Sequence, residues 1–317
     1  MATNTGIGTT LSVGTESTYG TEVARTRTVD LKSTTIQATP DNAPIESLGA
    51  YSNAAVAAVQ TAITAGGDTV CNVAYAKSML GLLLYHALGT VAESGAGPYD
   101  HTFTPAVTVP SASIELVRGT SGGESEEGYG FQISKLVLTL EAGKPAELTL
   151  SWIGKSTGAR AAPGTIPTNG TNRLFILGQH CPGIVWGGTT SGTRKITLTI
   201  DNKLEGKQDL GSLYIAEAIR SARMEVTVEV ELIKRASAMY ADALACTARA
   251  LSFRATSGTS YLDFAAPTAI IETQSDPINS AGAVMERVRF RCLGDEVTPA
   301  PVCTIVLRNG DATYGAS

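Results

Sequence analysis

Charge is scarce in this chain. Asp, Glu, Lys and Arg make up 17% of its 317 residues, against roughly 25% in an average globular protein. The net charge is −5, from 24 basic and 29 acidic groups, which excludes a protein that grips nucleic acid through phosphate contacts. Aromatics are 6% and do not cluster with basic residues, so there is no stacking platform for single strands. His86, His101 and His180 are the only histidines, no two of them at a metal-ligand spacing; each is expected to have a structural role. The five cysteines, Cys71, Cys181, Cys246, Cys292 and Cys303, include no C-x-x-C pair. That excludes a disulfide framework or zinc ribbon and points to reduced, mostly buried thiols of a protein folded in a cytoplasm. The most apolar run, Met79 to Leu88, contains His86 and is too short to span a bilayer. The first twenty residues have no basic segment followed by an apolar one, so no secretory signal is expected. No cofactor, metal or membrane insertion is expected.

What the chain does have is alternation. Leu136, Leu138 and Leu140 fall on one face of a strand, as do the apolar residues of Glu147 to Ile153, Ile196 to Ile200, Met224 to Leu232 and Val288 to Arg291. Period two places one set of side chains on each face of a sheet. The clearest case sets Val226, Val228, Val230 and Leu232 against Thr227, Glu229 and Glu231. Two stretches change period: Ser78 to Leu88 and Ala236 to Cys246 carry apolar residues at i, i+3, i+4 and i+7, one stripe of a helix.

The order of elements repeats, with Ala87-Leu88 against Ala243-Leu244 giving an offset of about 156 residues. The expected class is therefore all-β dominated, built from two duplicated domains with one helix each. The first domain spans 1–155 and the second 194–317. Between them, 156–193 reads as a Gly/Pro-rich linker whose apolar islands, Leu174 to Leu177 and Ile184 to Trp186, dock as short strands. Residues 1–160 carry 9 basic and 14 acidic groups, and the rest 15 of each. The acid excess thus sits in the first copy, part of it at Glu124, Glu126 and Glu127 in a Gly-rich loop, Gly119 to Gly130.

Catalytic patterns fail on context. Gly154-Lys155-Ser156-Thr157 lacks the upstream glycine that a phosphate cradle needs, since Thr149 stands there. Gly119 to Gly123 fits G-x-S-x-G around Ser121, but a glutamate-rich segment follows where a nucleophile elbow needs a helix. The three glutamates lack the spacing of a calcium loop, and His180-Cys181 has no visible activating partner. No enzyme is expected.

The stretch Ile7 to Thr21, with Gly14, Glu16, Tyr19, Gly20 and Thr21 in a G-x-E-x-x-Y-G-T pattern, resembles the opening of tail tube proteins of long-tailed, non-contractile phages. The resemblance continues through Leu80 to Gly89, His101 to Pro105, Pro110 to Val117, Gly128 to Leu136, Glu141 to Pro145, Ser151 to Lys155 and Leu198 to Asn202. It implies a β-sandwich or barrel tube domain with a flanking helix, stacked in rings around a hollow through which DNA passes without specific binding. The expected partners are further copies of the chain, a tape measure protein and a tail terminator. The expected location is the virion tail, assembled in the host cytoplasm. A duplicated chain would close a pseudo-hexamer from three subunits.

Long loops after the first strand of each copy are the expected ring-to-ring contacts: Ala38 to Ala54, with Asp41, Asn42, Glu46 and Tyr51, and Asn202 to Gly211, with Lys203, Glu205, Lys207 and Asp209. Glu147, Glu229 and Glu231 are the expected lumen or polar-face acids, which would repel DNA phosphates. The alternative is a β-sandwich adhesin that binds a receptor or carbohydrate, which would need Trp152 and Trp186 in an exposed aromatic groove.

Overall fold

The computed structural model describes residues 7–46, 55, 57–76, 79–119, 124–158, 160–164, 167, 173–233, 238–275, 285–294 and 300–314. Ser121 and Tyr51 lie outside these residues. The fold is dominated by antiparallel strands. The first half runs β1 (Thr10–Thr15), β2 (Arg27–Val29), β3 (Leu31–Thr34), β4 (Gln37–Ile45), β5 (Ala57–Asn72), α1 (Leu80–Leu88), β6 (Gly89–Ser94), β7 (Tyr99–Pro105), β8 (Ala112–Arg118), β9 (Glu124–Glu141), β10 (Glu147–Gly154) and β11 (Ser156–Thr157). The second runs β12 (Ile184–Trp186), β13 (Thr189–Ser191), β14 (Thr193–Asp201), β15 (Leu204–Gln208), β16 (Ile215–Arg220), β17 (Glu225–Ile233), α2 (Ala238–Leu244), β18 (Arg249–Ser257), β19 (Ser260–Ser275), β20 (Met285–Cys292) and β21 (Thr304–Asn309).

The alternating strands form where period two places them, and their apolar sets are buried: Leu136, Leu138 and Leu140; Leu148, Leu150 and Trp152; Ile196, Leu198 and Ile200; Val226 to Leu232 at every second position. Helix α1 is buried on almost every side, not on one stripe alone, so it works as a central core element. It ends at Gly89, whose left-handed backbone returns its N–H to the Tyr85 carbonyl. Of the two apolar islands, Ile184 to Trp186 is β12, whereas Leu174 to Leu177 makes only isolated bridges, through Phe175 and Leu177.

Three expectations are corrected. Asp41 and Asn42 are not in a loop: they lie in β4, which pairs with the first part of β5 as one arm of a long hairpin. Glu205 and Lys207 likewise lie in β15, paired with β16. Glu124, Glu126 and Glu127 are strand residues at the start of β9, paired with β8. In all three segments cross-strand hydrogen bonding overrides a turn-rich composition, because a paired backbone is satisfied where a free one is not.

A set of pairings recurs along the chain. In the first half β1 pairs with β2 and β8, β3 and β4 with β5, β5 with β10, and β9 with β8 and β10. In the second, β12 pairs with β13 and β18, β14 with β17, β15 with β16, β17 with β20, and β19 with β18 and β20. Three ladders slip register at matching points: Leu31/Ser33 with Thr193/Lys195, Ser151/Trp152 opposite the same slip at Ile271/Thr273, and Ala112/Ile114 with Arg249/Leu251. The β6–β7 hairpin has no counterpart between α2 and β18.

The ladders chain β3, β5, β10, β9, β14, β17, β20 and β19 into one eight-stranded run through both halves. One face of this run carries the apolar sets and packs on the core with α1. The other is polar.

Candidate functional site

The polar face is a grid of charges set by register. One row reads Glu141, Lys195, Glu231 and Arg287 across four neighbouring strands, with alternating sign. The next sets Thr197 beside Glu229 and Glu229 beside Arg289. Arg287 Nε lies 3.1 Å from Glu231, and Arg289 Nε lies 3.7 Å from Glu229 and 3.0 Å from Glu272. Glu225 accepts from Arg291 at 2.7 Å, and that hydrogen bond is the main reason its carboxyl stays below the usual range. Glu147 pairs with Lys32. The expected polar-face acids are thus on the polar face, and each has a basic partner. The arginines of β20 were missed in the sequence, although Arg287, Arg289 and Arg291 at alternate positions gave the signal.

The β4–β5 hairpin extends beside the edge strand β3, and the β15–β16 hairpin extends from β14 and β17 in the middle of the run. Asp41, Asn42 and Glu46 are exposed. Lys207 pairs with Glu205 at 3.3 Å, and Asp209 is exposed beside Leu210, whose side chain is fully exposed. Lys203 is different: it sits in the left-handed region (φ 52°) with Nζ 2.6 Å from Asp201 and 3.4 Å from Glu225, so it serves the fold of its own chain. The second hairpin leans on the first half, where the Ile63 N–H donates to Leu213 at 2.7 Å and Gln208 Nε2 to Thr61 at 3.3 Å.

Several acids of the first half are held by partners within the fold. Buried Glu16 accepts from the N–H groups of Gly20 (2.8 Å) and Gly130 (2.9 Å) and from Ser113 Oγ (2.9 Å). Gly20 and Gly130 both have positive φ, and a Cβ on either would strike the Lys155 side chain. The Gly14 to Thr21 motif is therefore a turn stapled to β9. Glu115 accepts from Ser125 Oγ and the Gly164 N–H. Glu126 pairs with Arg118 and Arg160, Glu124 with Arg160, and Glu127 with Arg25.

The histidines act structurally. His86 Nδ1 donates to the Pro110 carbonyl and Nε2 meets the Thr15 hydroxyl; complete burial drives its pKa down to about 4. His101 Nε2 donates to the Asp311 carbonyl at 2.9 Å, and His180 meets the Tyr75 hydroxyl at 3.2 Å. Both tryptophans are largely buried; Trp186 donates its indole N–H to Asp242 at 2.9 Å and contributes to the wall of a cleft with Leu232, Met239 and Arg249. All five cysteines are free thiols. Among the described residues no helix is long and apolar enough to cross a membrane, and no cluster of three metal-ligating side chains occurs.

The chain belongs to the phage tail tube protein family, whose model matches residues 6–292. No curated protein matches it. Membership makes it a structural component of a virion tail that assembles with its own kind into a tube.

Proposed function

We propose that three copies of this chain close into a pseudo-hexameric ring, and that rings stack into the conduit through which the genome leaves the virion. The carrying observation is the eight-stranded run with one apolar face, one polar face and an open edge at each end. A sheet of that kind buries its edges by joining copies around a ring, with the apolar face outward against the core and the polar face toward the hollow.

The recurrent pairings and register slips support reading the chain as one unit duplicated. On that reading β12 and β13 belong to the second unit as β1 and β2 belong to the first. The two hairpins would then stand at equivalent places and carry the contacts between rings, through Asp41, Asn42 and Glu46 on one and Glu205, Lys207 and Asp209 on the other. A tape measure protein inside the tube and a terminator at its end are the further partners, and assembly takes place in the host cytoplasm.

The wall reads as charge-balanced rather than acidic. Each arginine of β20 is held by a carboxylate, which leaves no free cation row to trade for the counterions of DNA. DNA then slides because nothing on the wall binds it.

Negative-stain microscopy of the purified protein tests the proposal. Hollow tubes or rings with threefold or sixfold outline are expected; discrete spikes would favour an adhesin, and compact monomers at high concentration would overturn the tube.

A further inference from the structure

Resting on the tube reading, we propose which edges join neighbouring chains, and in what register: Thr273, Gln274 and Ser275 of β19 pair antiparallel with Thr39, Ala38 and Gln37 of β4 in the next copy.

The pairing follows from a junction the chain already contains. Where the two halves meet, β9 pairs with β14, placing Lys135 opposite Asp201, Leu136 opposite Ile200 and Val137 opposite Thr199. Both strands have counterparts in the recurrent ladders. Lys135 faces Ser151 just before the slip to Trp152, and Thr273 faces Arg289 just before the slip to Phe290. Lys135, Leu136 and Val137 therefore correspond to Thr273, Gln274 and Ser275. On the other side, Thr199, Ile200 and Asp201 face Thr227, Val226 and Glu225, while Gln37, Ala38 and Thr39 face Gly66, Ala65 and Thr64. Counting from the matched slips at Leu31/Ser33 and Thr193/Lys195 gives the same correspondence.

The edges needed are open. Among the described residues, 270–275 pair with β20 alone and 37–39 with β5 alone. Gln37, Thr39, Thr273 and Ser275 are exposed. An exposed edge with unpaired backbone groups is a template for another strand, and a copy of the chain carries its counterpart at the opposite end. The contact is head-to-tail, the type that closes rings.

The hairpins point the same way. The β15–β16 arm rests on the β5 strand of the β4–β5 arm through Ile63 and Thr61, but the β4 strand of that arm is exposed from Thr39 to Glu46. Joining a second copy in the proposed register gives that arm the support its counterpart has.

The test is a disulfide. Directly opposed residues of an antiparallel pair have Cα atoms about 4.5–5.5 Å apart, within the span a disulfide bridges. A chain carrying Thr273→Cys and Thr39→Cys, with the exposed Cys246→Ser, is assembled and oxidised. Covalent multimers that end in one closed species, and that need both cysteines, are expected. Thr273→Cys with Gln37→Cys, displaced by two residues, is expected to give none. Tubes in which the first pair stays reduced, or in which the displaced pair links equally, overturn the register.

Hydrogen exchange on the unaltered protein guards against a variant that misfolds. Amides of 37–39 and 273–275 are expected to gain protection together on assembly. Tubes without that protection overturn the pairing alone, whereas a native chain that stays monomeric in micrographs overturns the tube reading and the pairing with it.

Discussion

Asn202 donates its side-chain amide to the backbone carbonyl of Ala87, 2.8 Å away, and so ties the end of β14 to the end of helix α1. The same amide reaches the Ile133 carbonyl at 3.0 Å, and its oxygen accepts from Arg220 at 2.9 Å. One fully buried side chain thus satisfies groups from both halves. Asn202→Ala leaves two carbonyls and a guanidinium short of partners. An unpaired buried group costs about 1–3 kcal/mol, so a loss of roughly 2–4 kcal/mol is expected in urea unfolding. A variant within 0.5 kcal/mol of the parent would contradict this role.

His86 makes the protein acid-sensitive. Its folded pKa of about 4 lies below the ordinary histidine value of 6.5, so the unfolded chain takes up a proton first. The contribution is full above pH 6.5 and is lost as pH falls toward 4. It amounts to at most roughly 3 kcal/mol at about 1.4 kcal/mol per pKa unit. Unfolding followed between pH 7 and 4 should show this slope, and His86→Leu should flatten it.

Removing carboxylates from the polar face frees cations. Glu231→Gln leaves Arg287 without the partner that now lies 3.1 Å away, and adding Glu229→Gln and Glu272→Gln strips Arg289 of the carboxylates at 3.7 Å and 3.0 Å. Tubes are expected to form, to retain DNA at low salt, and to release it more slowly than the parent. Retention should fall steeply as salt rises, with a slope set by the number of arginines exposed. Unchanged release at low salt would argue against this face as the wall.

Glu16 is the anchor of the N-terminal turn. Glu16→Ala removes acceptors for two backbone N–H groups and a serine hydroxyl, and a loss of roughly 2–3 kcal/mol is expected. Faster proteolysis within residues 7–27 should accompany it. An unaltered digestion pattern would show that the turn is held elsewhere.

Strands with alternating faces were legible from the sequence, because burial of one face imposes period two on residues such as Val226, Val228 and Val230. Both helices were legible as a change of period, although α1 is buried on almost every side and Tyr240 of the α2 stripe is exposed. The hairpin arms were not: Gln37 to Ile45 has no buried face, so its pairing leaves no apolar pattern to read. Nor did composition reveal where the acids go. Glu16 and Glu115 look like any surface glutamates until Gly130 and Ser125, far along the chain, bring donors to them. Alternation gave Glu229 and Glu231 a common face, but their pairing depends on which strand lies beside β17, a long-range fact.

The last strand, β21, pairs with β7 of the first half, and Tyr314 beyond it packs against His101 and against Gly81 of α1. Synthesis must therefore pass β21 before β7 acquires its second neighbour. Until then the nascent chain carries an unfinished edge, open to the wrong strand. Pairing of β21 with β7 is the event that seals this edge.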